Sequence, residues 1–190
     1  MKVKYWSVRI TVLKERILNI DGFKKLDDFL FSDAERVNLK NVAGSLFSFI
    51  VAFLFEKLRD NVFVVVQDEE FGRKIADDIN FIAGEDVVFE FIPDEDMLVD
   101  DIDVMKLKLS FEIFRGRKIF LTTAKHIQER ILVSKEINSM SFRLRVGEKV
   151  DYDEFISYLI SNGFEKKRYV EARGDYSIRG SIIDVFGFTG

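Results

Sequence analysis

The most regular block of this chain, Leu46 to Leu58, is apolar on nearly every face, as a helix buried on all sides would be. A short apolar stretch from Val37 to Val42 reads as a strand leading into it, and Ala43-Gly44-Ser45 turns the chain between the two. Val62 to Val66, an unbroken run of Val and Phe, reads as a fully buried strand. From Glu69 to Ile82 the apolar positions Phe71, Ile75, Ile79 and Ile82 recur at helical spacing with charges between them, and Gly84 ends the pattern. Val87 to Ile92 is the next strand, closed by Pro93; a helix to about Phe114, a strand from Lys118 to Thr123 and a helix from Ala124 to Ile131 follow. Strands alternating with helices predict parallel βαβ units in an α/β layer.

After about Ser134 the rhythm changes. Phe142-Arg-Leu-Arg-Val146 alternates as a half-exposed strand, and Asp151-x-x-Glu154 is a capping box that opens a helix stopping at Asn162-Gly163. Strands centred on Ile178 and Ile183 come next, so the tail has the pattern of a small α+β domain. The expected division is 1–134 for the α/β domain and 135–190 for the small one. At the other end, Phe23 to Phe31 has helical spacing, while the first twenty residues mix β-branched residues (Val3, Val8, Ile10, Val12), Tyr5 and charges without a clear period.

Composition narrows the chemistry. The 47% hydrophobic content of 190 residues is enough for a real core, and 20 phenylalanines with one proline put aromatic packing at its centre. The absence of cysteine removes disulfides, thiolate metal sites and cysteine nucleophiles, and fits a reducing cytoplasm. A single histidine, His126, rules out a histidine-built metal centre or triad; beside Lys125 at a helix start it reads as a surface or capping residue. A net charge of −4 argues against a free-standing nucleic-acid binder, so any basic surface is local. The longest apolar run is too short to cross a membrane, and the N-terminus has no signal-peptide pattern, so the expectation is a soluble, cytoplasmic monomer.

Three places invite a chemical reading. Gly44-Ser45 sits where a nucleotide-binding enzyme has its phosphate loop, but a working loop needs several glycines, a lysine for the terminal phosphates and a Ser/Thr for Mg²⁺; here Ser45-Leu46 stands in place of the Lys-Ser/Thr pair. It therefore reads as a structural turn with no cofactor. The acidic stretch from Asp94 to Asp103 lacks EF-hand spacing and reads as a solvated loop, not a metal site. Ser45, Ser110 and Ser134 lie in no nucleophile-elbow context, and no catalytic residue is assigned. The third place is Gly163 to Phe186, where Lys166, Lys167, Arg168, Arg173 and Arg179 accompany strand-like apolar residues and turn glycines. Two readings stand side by side: a basic rim that contacts an acidic partner, or a solvated strand face.

That segment resembles the second domain of the UvrB-homology module found in transcription-repair coupling factors. Gly163, Val170, Glu171, Gly174, Arg179, Gly180, Ile182, Ile183, Asp184 and Phe186 match its pattern identically, and Phe164, Asp175 and Tyr176 are near substitutions. Upstream, Val42 to Leu58 is similar to the family's degenerate phosphate-loop relic, Phe63 to Asp78 to its following strand and helix, and Leu144 to Gly163 to its Leu-x-Val-Gly stretch and helix. The resemblance implies a UvrB-like plan: a degenerate RecA/helicase-like parallel-sheet domain, then a small α+β domain with a UvrA-binding surface. Carried over by position, that surface falls on Lys166, Arg179 and Phe186, with Arg168 and Arg173 beside them. It also implies that the chain is a fragment of an ATP-dependent DNA translocase, whose motor and whose contacts to RNA polymerase and DNA lie in other domains. The sequence departs from the pattern at Lys166, where the family has arginine and a planar two-pronged contact becomes a point charge, at Gly187, where it has proline, and at Met97 to Asp100, which lacks Leu-Pro-Tyr-Glu. The alternative reading is a nucleotide- or DNA-binding module of a P-loop helicase-like enzyme.

Overall fold

The computed structural model describes residues 12–33, 35–132 and 134–189. Of the mixed opening stretch, Val3, Tyr5, Val8 and Ile10 lie outside the described residues, and residues 12–18 are helical. The chain divides into two compact units, one of Met1–Asp94 with Arg115–Glu129, the other of Glu95–Phe114 with Arg130–Gly190.

In the first unit, α1 (Asp21–Leu30) precedes α2 (Leu46–Leu58), β1 (Val62–Val66), α3 (Glu69–Ala83), β2 (Val88–Phe91) and β3 (Ile119–Thr123). The strands form a parallel sheet in the order β1-β3-β2, with Val62 opposite Ile119 and Val88 opposite the same residue from the other side. Strand alternation divides the side chains. Val64, Val66, Ile119 and Leu121 turn to a core shared with Val51 and Phe55 of α2 and Ile75, Ala76 and Ile79 of α3. On the opposite face the register aligns Phe63, Phe120 and Phe89, the first two stacked at 5.2 Å. Gly72 lets α3 lie close on the sheet: a Cβ there would stand 2.7 Å from Ile92 and 3.1 Å from both Leu121 and Val66. A second cluster packs Phe23 and Leu26 of α1 against Phe49 and Phe53 of α2, with Phe23 and Phe53 edge to face at 5.3 Å. Among the described residues no helix is long and apolar enough to cross a membrane.

The second unit contains α4 (Val99–Arg115, of which Arg115 falls to the first unit), α5 (Ser134–Ser139), α6 (Tyr152–Ser161) and β4 (Glu165–Lys166), β5 (Asp175–Arg179) and β6 (Ile182–Val185). Its sheet is mixed: β4 runs parallel to β5, and β5 antiparallel to β6. Tyr176, Phe155 and Leu159 are buried together, with Ile178 and Ile183 packed against them. Asp151 caps α6 by accepting from the Glu154 N–H at 2.9 Å, as the sequence predicts. Asp151→Ala is expected to cost about 1 kcal/mol, read as a lowered urea midpoint for the second unit; an unchanged midpoint would mean that the cap contributes nothing there.

Three predicted elements are absent. Val37 to Val42 forms no strand, and no chain pairs with it. Ala124 to Ile131 makes turns instead of a helix, because the Thr123 carbonyl takes the N–H groups of both His126 and Ile127, each at 3.1 Å, and the chain leaves the helical path after Gln128. Phe142 to Arg145 has no regular secondary structure and pairs with no strand among the described residues, and Val146 lies in a turn. His126 is buried rather than a surface or capping residue: its Nδ1 lies 3.0 Å from the Thr123 hydroxyl and its ring meets Phe91 edge to face. Ser110 is likewise a buried tie, donating to the Lys106 carbonyl and accepting from the Leu132 N–H.

Candidate functional site

The outer face of the β4-β5-β6 sheet follows from strand parity. Tyr176 and Ile178 point to the α6 core, so Asp175, Ser177 and Arg179 point away from it. The register then sets Ile182 beside Arg179 and Asp184 beside Ser177 on that face. Gly180-Ser181 closes the hairpin as a two-residue loop, with Gly180 at φ +64°, the positive first-position φ that such tight turns require. Arg179 reaches along the hairpin and donates from Nε (3.1 Å) and Nη2 to Asp184 Oδ2, with its side chain 63% exposed. Ile182 at 59% and Phe186 at 38% exposure supply apolar surface in the same region.

Phe186 is placed by a β-bulge. Its carbonyl accepts from the Gly174 N–H at 2.8 Å and its own N–H donates to the Asp175 carbonyl at 2.9 Å, so two residues of one strand face one of the other. Gly174, at φ +85°, occupies the bulge position that favours glycine, and the Asp175 N–H donates to the Ala172 carbonyl to close the preceding turn. The Asp175 carboxylate accepts from the Ala172 N–H (2.9 Å) and the Glu171 N–H (3.2 Å). These two backbone donors hold its carboxyl below the usual carboxylate range. The contribution of this carboxylate is thus complete above the ordinary carboxyl range and is lost as the pH falls through the lowered value. Ser177, buried, donates to the Arg168 carbonyl at 3.0 Å and ties the 167–174 loop to the sheet.

That loop shapes an open cavity of about 620 Å³ lined by Lys167, Arg168, Tyr169, Arg173, Gly174 and Phe188 among others. Its cations have acidic or aromatic neighbours. Lys167 donates to Glu165 at 2.6 Å, Arg173 lies 3.7 Å from Asp101, and the Arg168 guanidinium stands 5.4 Å from the Tyr169 ring.

Of the residues singled out in the sequence, Arg179 and Phe186 share the outer face, and Arg168 and Arg173 belong to the adjoining loop. Lys166 pairs in register with Tyr176 and so, by parity, belongs to the opposite face, although it is exposed. Its neighbour Lys167 has the parity of Arg179. Lys167 stands in the basic run of the sequence, and Ile182 and Asp184 only among the matches to the family pattern; reading alternation outward from Arg179 across the Gly180-Ser181 turn places Ile182 and Asp184 on its face.

The other candidate, Gly44-Ser45, lies before α2. The Ser45 hydroxyl donates to Asp78 Oδ2 of α3 at 2.9 Å, and the Ser48 hydroxyl lies 3.5 Å from the same oxygen. The hydroxyls of Ser45 and Ser48 at the start of α2 are thus turned to a carboxylate of the protein itself. Among the described residues no group of acidic or histidine side chains is arranged to hold a metal ion.

Residues 142–190 match the family model of the UvrB interaction domain. The chain is 21% identical over 94% of its length to the transcription-repair-coupling factor of Staphylococcus haemolyticus, 24% over 89% to that of Bacillus subtilis, and 24% over 80% to that of Myxococcus xanthus. It spans only 16%, 15% and 14% of the length of these relatives. The chain is therefore similar over most of its length to a part of the transcription-repair-coupling factors, and residues 142–190 are similar to the UvrB interaction domain.

Proposed function

We propose that this chain is a non-catalytic, cytoplasmic adaptor module that binds UvrA through the outer face of its second sheet and so brings nucleotide excision repair to stalled RNA polymerase. The observation that carries the reading is the exposed Arg179 guanidinium, held over the sheet by Asp184 beside the apolar surface of Ile182 and Phe186. A rigid cation rimmed by apolar side chains is the usual composition of an interface anchor. An exposed ion pair contributes at most about 1 kcal/mol, so Asp184 orients Arg179 without withholding it from a partner carboxylate. Lys166, Arg168 and Arg173 belong to the same proposal as flanking cations that steer encounter.

Arg179→Ala is expected to weaken binding of purified UvrA, measured by calorimetry, by about 1–3 kcal/mol, the usual cost of truncating an interfacial arginine. The circular dichroism spectrum should be unchanged. Wild-type affinity in a folded Arg179→Ala protein would remove the surface from consideration.

The first unit reads as a helicase-like domain that has lost nucleotide chemistry, with contacts to RNA polymerase, DNA and ATP made by other parts of a longer translocase. The Ser45 to Asp78 contact and the absence of a lysine beside Gly44 support this reading over a nucleotide-binding enzyme. The two readings separate in one titration, since an enzyme of the P-loop type gives a heat of Mg-ATP binding and this module gives none.

A further inference from the structure

Residues 142–146 carry a strand pattern without a strand. Apolar Phe142, Leu144 and Val146 alternate with Arg143 and Arg145, a period that is stable only when one face is covered and the backbone is paired. Phe142 is fixed at one end, its ring 5.0 Å from Phe155 and 5.1 Å from Tyr158, while the Tyr158 hydroxyl donates to the Met140 carbonyl. Beyond Phe142 everything to Val150 is exposed, including Leu144 and Val146. Among the described residues no strand pairs with the segment; the backbone of Phe142 bonds to the Tyr158 hydroxyl, and the Glu148 N–H donates to the Arg145 carbonyl in a turn that contains Val146. An anchored, exposed and unpaired run of alternating apolar residues is a template for another strand.

We propose that residues 142–146 form a docking strand that pairs edge to edge with an acidic extended segment of a partner protein. Backbone hydrogen bonds would supply affinity, and Leu144 and Val146 would take the apolar positions of the incoming strand. Charge decides between occupants. Arg143, Arg145 and Lys149 outnumber Glu148 here, so a second copy of this chain would set arginines against arginines, an unfavourable cross-strand pairing, whereas acidic side chains pair with them. The existing Arg145 to Glu148 contact, 3.3 Å and largely exposed, is readily exchanged for a partner carboxylate. This strand is separate from the Arg179 face.

The test uses the 190-residue chain and a capped heptapeptide, Thr-Val-Glu-Val-Glu-Val-Thr, against a version with lysine in place of glutamate. The acidic peptide is expected to slow amide exchange at Leu144 and Val146 at least about fivefold and to bind at least about tenfold more tightly than the basic one. Arg143→Glu/Arg145→Glu is expected to reverse that preference, an outcome that misfolding cannot imitate. Equal binding of both peptides, unchanged exchange at Leu144 and Val146, or protection that grows with protein concentration in the absence of peptide would each overturn the proposal. Should the double variant fail to fold, the wild-type exchange and peptide comparison alone decide.

Discussion

Replacing Ile79 with alanine is expected to destabilise the first unit by about 2–5 kcal/mol, the range for emptying a fully buried aliphatic site. Ile79 is 0% exposed, and it sits in the layer between α3 and the sheet with Val64, Val66, Ile119 and Leu121. Close approach makes the site stiff. Gly72, two turns earlier on α3, already brings the helix so near the sheet that the strands have little room to move into a vacated volume. The loss belongs to one unit, so the measurement is hydrogen exchange over 62–66 and 119–123, where protection should fall in proportion. The exchange of 175–185 should be unaffected. A loss below about 1 kcal/mol would mean that the layer collapses around the gap and is not packed as tightly as its geometry indicates.

Where local pattern and tertiary burial agree, the sequence was sufficient. The bounds of α2 at Leu46 and Leu58 and of β1 at Val62 and Val66 follow from the pattern, and a helix apolar nearly all round goes to the interior; the expectation that β1 is buried on both faces fails, since Val64 and Val66 are buried while Phe63 and Val65 on the other face are exposed. Asp151 announced α6 through its capping chemistry, which is local by nature. The failures came from pairings the pattern cannot contain. Phe142 to Val146 alternates like a strand, but alternation states only a preference, and a strand exists when another chain accepts its hydrogen bonds. Ala124 to Ile131 has helical composition, yet a Thr123 to His126 contact buries the imidazole and holds the first turn in a form that does not propagate. The burial of His126 escapes the local pattern for the same reason: its partners, Thr123 and Phe91, lie on the strands β3 and β2 that only the folded sheet brings together.

The candidate surface was legible in part. Arg179 and Phe186 could be named from resemblance, but their common face depends on two backbone devices, the Gly180 turn that fixes register and the Gly174 bulge that adds a residue to one strand. Lys166 shows that a charged run does not define a face: its place in the run suggests membership of one rim with Arg179, and its register with Tyr176 assigns it to the other side. The charge count misleads as well. Asp184 and Glu165, both on the strands of this sheet, pair with Arg179 and Lys167, so the surface is a set of oriented ion pairs rather than an unopposed basic patch. A partner recognises such a surface by geometry, whereas an unopposed patch would attract any polyanion.

Gly174→Ala tests the importance of the bulge and is expected to destabilise the second unit strongly. An L-residue at φ +85° costs about 1–2 kcal/mol on backbone grounds. The added Cβ would also stand 2.7 Å and 2.9 Å from two ring carbons of Phe188, whose ring packs on Phe164 at 4.7 Å. Moving that ring adds about 1–3 kcal/mol of overpacking, for a total of about 2–5 kcal/mol. The two causes separate in a Phe188→Ala background, where the steric part disappears and the conformational part stays. Binding of UvrA should fall together with stability, because Gly174 donates the hydrogen bond that sets the Phe186 carbonyl, and Asp175 receives the loop amides only when the turn before it is closed. A Gly174→Ala protein with wild-type melting temperature would show that the strand can run without its bulge. In that case Arg179 and Phe186 would owe their common face to something other than these backbone bonds.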